Sequence, residues 1–190
     1  MSLCGKIVII GNAGVGKTSI LARYVDDIFK EEYLQTIGAN FLIKEIEISS
    51  LISNLKINKK RKKELLEKGF KLYFWDIGGQ TDKLFANEYY FIQAVGAMVV
   101  FNVADKQSFE DLDFWISKMK ELSGDIPFVL LGNQTDLTHR QVKKLEIEEK
   151  IEDLGVEYFE TSAKLNKNID QAFESLSCQV IKNFIIEKED

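Results

Sequence analysis

Short apolar runs alternate along the chain with segments of helical period. "KIVII" (Lys6–Ile10), "FKLYFW" (Phe70–Trp75), "AMVVFNV" (Ala97–Val103), "PFVLLG" (Pro127–Gly132) and "VEYF" (Val156–Phe159) are near-continuous in apolar residues, the pattern of strands covered on both faces. Phe109, Leu112, Trp115, Ile116 and Met119 recur at helical spacing, as do Ile169, Ala172, Phe173, Leu176, Val180, Ile181 and Phe184, and each set marks one face of a helix. Strand followed by helix, repeated, predicts an α/β fold with a mostly parallel sheet and helices on both of its faces. "FLIKEIEIS" (Phe41–Ser49) breaks the pattern, because it partly alternates and no clear crossover helix follows it. It is expected to form an antiparallel edge strand paired with Phe70–Trp75.

Composition narrows this picture. A chain of 190 residues, 45% of them apolar, is long enough for one full core and short for two, so a single domain over residues 1–190 is expected. No apolar stretch approaches the roughly 18 residues of a membrane span, and nothing at the N-terminus reads as a secretory signal; a cytoplasmic protein is expected. Cys4 and Cys178 have no metal-ligand spacing and read as small core hydrophobes in a reducing compartment. The net charge of −5 argues against nucleic acid as a partner. That charge is uneven: residues 49–69 hold seven Lys/Arg and two Glu, a local +5, which leaves −10 on the remainder. This basic stretch is expected to lengthen the hairpin between the second and third strands, with a short helix ended by Gly69. It reads either as a solvated loop or as a weak contact for anionic membrane.

Candidate chemistry begins at "IIGNAGVGKTSI" (Ile9–Ile20). Gly11, Gly16, Lys17 and Thr18 fit GxxxxGK[ST] between a predicted strand and a predicted helix, which is the context this motif requires. Glycines let successive backbone N–H groups turn inward around an anion, and the helix aims its positive dipole end at the same point. Asn12, Ala13, Gly14, Val15, Gly16, Lys17, Thr18 and Ser19 therefore form a candidate phosphate cradle. Lys17 faces the β and γ phosphates, and the Thr18 hydroxyl faces Mg²⁺. Two later loops, "GNQTD" (Gly132–Asp136) and "TSAK" (Thr161–Lys164), follow strands and emerge at the same carboxyl edge. Asp136 alone reads as a turn or cap residue. Beside a phosphate cradle it reads as a carboxylate accepting from guanine N1–H and its exocyclic amine, a pair of donors that adenine lacks.

These motifs, in this order, resemble the Ras-like small GTPases, and most closely the Rab branch, over about Lys6 to Phe184 outside the basic stretch. "GNAGVGKT" resembles the family's phosphate loop, "TIGANF" (Thr36–Phe41) its switch I and "KLYFWDIGGQ" (Lys71–Gln80) the strand and switch II. "NVADKQSFEDLDFW" (Asn102–Trp115) is similar to the strand and helix that follow. The resemblance implies a P-loop NTPase G domain with a six-stranded sheet that binds GTP/GDP and Mg²⁺ and hydrolyses GTP slowly. It implies that Thr36 and Asp76 join Thr18 at the metal and that Tyr33 closes over the γ phosphate. Gly79 would sense that phosphate through its N–H, and Gln80 would orient the attacking water, with Lys17 and Thr36 completing the catalytic set. Asn133, Gln134, Asp136, Leu137, Ser162, Ala163 and Lys164 surround the base. Phe29 stacks on the base or is an ordinary core phenylalanine. Effectors are expected on Ile37–Phe41 and Leu84–Phe91, where Phe85, Tyr89, Tyr90 and Phe91 divide between surface and core. An exchange factor and a GTPase-activating protein are implied, in membrane trafficking or signalling, with a monomeric switch.

Several positions depart from the family pattern. Gln134 stands where lysine is usual, and "DIGGQ" is similar to the Arf branch, with Gly78 adding backbone freedom beside Gln80. None of the arginines Arg23, Arg61 and Arg140 is placed to stabilise charge in cis, so a partner is expected to supply one. The chain stops at "IIEKED" with no cysteine box, so no prenyl anchor is expected. A scaffold that keeps nucleotide with vestigial hydrolysis stays open beside the cycling switch, and Asp136 with "TSAK" disfavours an ATPase. Trp75 and Trp115 read as core.

Overall fold

The computed structural model describes residues 3–29, 39–46, 59–68, 70–79 and 88–186. Six strands form one sheet in the order β2-β3-β1-β4-β5-β6: β1 (Leu3–Ile10), β2 (Ala39–Ile46), β3 (Phe70–Ile77), β4 (Ala94–Asn102), β5 (Phe128–Asn133) and β6 (Tyr158–Glu160). β1 runs parallel to β3 and β4, and β5 parallel to β4 and β6. β2 pairs antiparallel with β3, from Ala39 opposite Ile77 to Ile46 opposite Phe70. The helices are α1 (Lys17–Asp26), α2 (Lys59–Lys68), α3 (Lys106–Glu110), α4 (Leu112–Ser123), α5 (Lys144–Leu154) and α6 (Ile169–Ile186). No helix among the described residues is long and apolar enough to cross a membrane.

The apolar runs are explained by two cores, one on each face of the sheet. Ile7, Ile9, Phe74, Met98 and Val100 pack with Ile20 and Leu21 of α1 and with Phe173, Leu176 and Val180 of α6. Val8, Ile10, Val99 and Phe101 pack on the other face with Leu112, Trp115 and Met119 of α4 and Ile147 of α5. Side chains alternate across a strand, so a strand sandwiched in this way must be apolar at every position. The helical face running from Phe109 to Met119 is interrupted at Asp111, which ends α3 and begins α4.

Two expectations fail at the margins of these cores. Cys4, near the outer end of β1, is exposed, with its thiol 3.8 Å from the Tyr73 hydroxyl. Trp75 is only half-buried, with the Lys6 ammonium 4.6 Å from its ring centroid and the Tyr90 ring 5.8 Å away. An apolar residue in a strand run is covered only where a helix lies over it, and these two side chains lie towards the rim.

The parallel strands all end at one edge. β3 is added to one side of β1 and β4 to the other, so the turn leaving β1 opens into the crevice where ligands of such sheets bind.

Candidate nucleotide-binding site

The turn from β1 to α1 is set by its backbone. Gly11, Gly14 and Gly16 have φ of 138°, 79° and 95°, values that cost little only for glycine. A Cβ on Gly11 would lie 2.0 Å from the Val100 carbonyl oxygen, and one on Gly16 would lie 2.4 Å from Asn133 Nδ2. Gly16 is the N-cap of α1 and supplies no side-chain cap, and the first turn of the helix holds no acidic residue. A helix start without a carboxylate of its own suits a bound anion.

Lys17 is buried and folds back over this turn. Its ammonium donates to the carbonyls of Gly11 at 2.7 Å and Asn12 at 2.8 Å. Burial pushes the group down to about 8, while the Asp76 carboxylate acts in the opposite sense. Nearby phosphate charge would restore the protonated form. Beside Lys17 the Thr18 hydroxyl donates to Asp76 Oδ2, which places two hard oxygen donors together at the start of α1. That chemistry fits Mg²⁺, which takes one or two protein oxygens together with phosphate and water. The Gly79 carbonyl accepts from Ala13 N–H at 3.0 Å, so the segment after β3 lies against the turn.

The loops after β5 and β6 meet the same turn. Buried Asn133 donates through Nδ2 to the Val15 carbonyl at 2.8 Å and accepts the Thr161 hydroxyl at 3.1 Å. Gln134 Nε2 donates to the Gly14 carbonyl at 2.9 Å. The Ser162 hydroxyl donates to Asp136 Oδ1 at 2.6 Å and accepts Leu165 N–H at 3.1 Å. Thr135 N–H and its hydroxyl both donate to the Thr161 carbonyl. Arg23, on α1, donates from Nε to the Ala163 carbonyl at 2.9 Å. One hydrogen-bonded unit therefore joins a phosphate-type turn to a carboxylate held by a serine.

Residues 6–182 match the Ras family. The chain belongs to the Ras family. It is 33% identical over 178 residues to Ras-related protein Rab-13 of Bos taurus, covering 93% of this chain and 79% of that protein. Ras-related protein Rab-10 of Caenorhabditis elegans is 36% identical over 174 residues, with 90% of this chain and 78% of that protein covered. Ras-related protein Rab-8A of Bos taurus is 34% identical over 174 residues. The chain is thus a Rab-like small GTPase with a P-loop α/β fold, a member of a family of GTP hydrolases.

The expected residues fall into three groups in this Ras-family protein. Asn12 to Ser19, Asp76 and Gly79 gather at the β1–α1 turn, and Asn133, Gln134, Asp136, Ser162 and Ala163 gather beside it. Phe29 packs against the core formed with α1 and α6, and Leu137 and Lys164 lie exposed next to the base-side loops. Tyr33, Thr36 and Gln80, residues 84–87 of Leu84–Phe91, and Ile37 and Gly38 of Ile37–Phe41 lie outside the described residues. Within the described part, Phe91 is fully buried, whereas Tyr89 is 58% exposed, its ring tilted against that of Tyr90 with centroids 4.0 Å apart. Arg23 and Arg140 are engaged away from the phosphate turn, the second by Glu160.

Three features were not legible in the sequence. Half-buried Trp75 packs at the edge of a core beside Tyr90, which in turn touches exposed Tyr89. Gln134, standing where lysine is usual, ties its loop to the Gly14 carbonyl. Trp115 is buried as expected, but its indole N–H donates to Asn12 Oδ1 at 2.7 Å. The last pairing spans most of the chain, and no local signal announces it.

Proposed function

We propose that this Ras-family GTPase is a guanine-nucleotide switch that binds at the carboxyl edge of the sheet and hydrolyses GTP to GDP and phosphate. The observation that carries this reading is the joining of the two ends of the site through Asn133, which bonds Val15 of the phosphate turn and Thr161 of the base-side loop. In this reading Asp136 accepts from guanine N1–H and the exocyclic amine, while Ser162 fixes its orientation and Ala163 N–H donates to the guanine O6. Phe29, Leu137 and Lys164 flank the ring. Asn133 and Gln134 act as braces that fix the distance between base and phosphates.

Lys17 balances the charge of the β and γ phosphates. Thr18, Thr36 and Asp76 would hold Mg²⁺, and the ion would supply charge neutralisation at the phosphates. Gln80 orients a water in line with the γ-phosphorus. The water oxygen bonds to phosphorus, the bond to the β–γ bridging oxygen breaks, and the water proton leaves with inorganic phosphate. Loss of the γ phosphate frees Thr36, Tyr33 and the Gly79 N–H, and both switches relax. Ile37–Phe41 and Leu84–Phe91, extended by Trp75, form the effector face. Because Arg23 and Arg140 are engaged elsewhere, an activating protein supplies the arginine, and an exchange factor reloads GTP. Its similarity to Rab proteins supports a role in membrane trafficking, peripheral to membranes, as a single-domain monomer.

The test is to identify the nucleotide carried by purified protein, then to follow single-turnover phosphate release from GTP. GDP in the preparation, slow release abolished by Gln80→Leu, and no competition by ATP are expected. GTP that stays intact would favour a nucleotide-bound scaffold, and equal loading of ATP would overturn the assignment of Asp136.

A further inference from the structure

Asn12 stands where three parts of the molecule meet. Its side chain turns away from the phosphate turn and towards α4. Nδ2 donates to Asp111 Oδ2 at 2.7 Å, and Oδ1 accepts from Trp115 Nε1 at 2.7 Å. An indole nitrogen can only donate and a carboxylate can only accept, so these two partners fix which way the amide points. Asp111 is itself held, since its other oxygen accepts from Gln107 at 2.9 Å. Trp115 is fully buried.

The backbone of Asn12 faces the opposite way, into the site. Its carbonyl is one of the two that hold the Lys17 ammonium. It also lies so close to Gly79 that a Cβ there would come within 2.3 Å of the Asn12 carbonyl carbon and 2.6 Å of its oxygen. A displacement of Asn12 would therefore move the cage of Lys17 and the contact with Gly79 together. Among the described residues, the hydrogen bonds of the Asn12 amide run to Asp111 and Trp115.

We propose that Asn12, Asp111 and Trp115 form a latch through which helix α4 positions the phosphate turn and so sets how long nucleotide is retained. This rests on the guanine-switch reading above. All three are positioning residues, acting on the ligand through the Asn12 backbone. The latch has a polarity: an amide on the turn donates to a carboxylate on the helix. The opposite polarity, a carboxylate on the turn and an amide on the helix, satisfies the same three groups, because the indole N–H donates equally well to a carboxylate. Two carboxylates facing each other cannot satisfy it.

The experiment is a polarity swap, read by release of a fluorescent GDP analogue from the full chain with Mg²⁺ present, alongside thermal melting at saturating GDP. Asn12→Asp alone should speed release roughly tenfold or more, because two carboxylates then meet in a partly buried site. Asn12→Asp with Asp111→Asn should return release to within about twofold of wild type, a rescue that general damage to the fold would not produce. Trp115→Phe, which removes the N–H and keeps most of the ring volume, should speed release by roughly three- to fivefold; it decides the matter if Asn12→Asp does not fold. Wild type that retains no labelled GDP would overturn the switch reading and the latch with it. Wild type that retains it while Asn12→Asp, or Trp115→Phe where that variant decides, releases it at the same rate would overturn the latch alone. So would a double variant as fast as Asn12→Asp.

Discussion

The phosphate-side turn is shaped by main chain, whereas the loops beside the base are shaped by side chains. At the first, three glycines take left-handed or otherwise restricted φ values, and neighbouring backbone or side-chain atoms leave no room for a Cβ at Gly11 or Gly16. At the second, the threonine, serine, asparagine and arginine side chains of Thr135, Thr161, Ser162, Asn133 and Arg23 hold the loops to each other and to α1. A backbone-shaped site tolerates almost no substitution at its glycines. A side-chain-shaped site accepts any residue that reaches the same partner with the same kind of group. Gln134 illustrates the second case, since a neutral amide reaches the Gly14 carbonyl that a longer donor could also serve.

The contrast breaks most visibly at Gly11. Gly11→Ala forces a Cβ against the Val100 carbonyl, and we expect a loss of about 3 kcal/mol or more. That corresponds to a fall in melting temperature of roughly 6–12 °C for a chain of this size, measurable by circular dichroism, together with loss of nucleotide binding. Next in size, Asp136→Asn replaces an acceptor with a group that presents donors to guanine, and GTP affinity should fall roughly a hundredfold or more. Melting of the protein without added nucleotide should change far less than for Gly11→Ala, which separates recognition from folding. Gln134→Ala removes one hydrogen bond to the phosphate turn and should speed GDP release by about fivefold, while Gln134→Lys should restore it; equal rates for all three would mean that this tie contributes nothing. The smallest effect lies outside both ends. Replacing Lys59–Lys63 on α2 by serine should leave GDP release and selectivity unchanged, with each substitution altering stability by no more than about 0.5 kcal/mol. Co-sedimentation with anionic vesicles, if α2 contributes to it, should then be lost.

The same contrast explains what could be read from the sequence. Glycine spacing and the GK[ST] signature record backbone geometry directly, so the turn between β1 and α1 is legible from local sequence alone. Five of the apolar runs mark strands to within a few residues, because strands covered on both faces leave a continuous apolar trace. Three things were not legible. The break at Asp111 was hidden within one helical period. The exposure of Cys4 and the partial burial of Trp75 depend on where the covering helices end. The direction of the Asn12 side chain is set by residues some hundred positions away. In each of these cases the deciding information is tertiary.

β1 lies inside the sheet and precedes both of its neighbours in the chain. Ile7 to Ile10 are wholly buried, yet Leu3 pairs with Phe70 and Lys6 with Ala94, so this strand leaves the ribosome long before either neighbour is made. At ordinary rates of synthesis the gap to Phe70 amounts to roughly three to fifteen seconds. Through that interval this apolar strand has α1 beside it but neither neighbouring strand, and its sheet can close only by joining positions far apart in sequence, the slow kind of contact. Production in cells should therefore depend on what shields Ile7 to Ile10 until β3 has been made, and a small change there should alter yield well before it alters the finished protein.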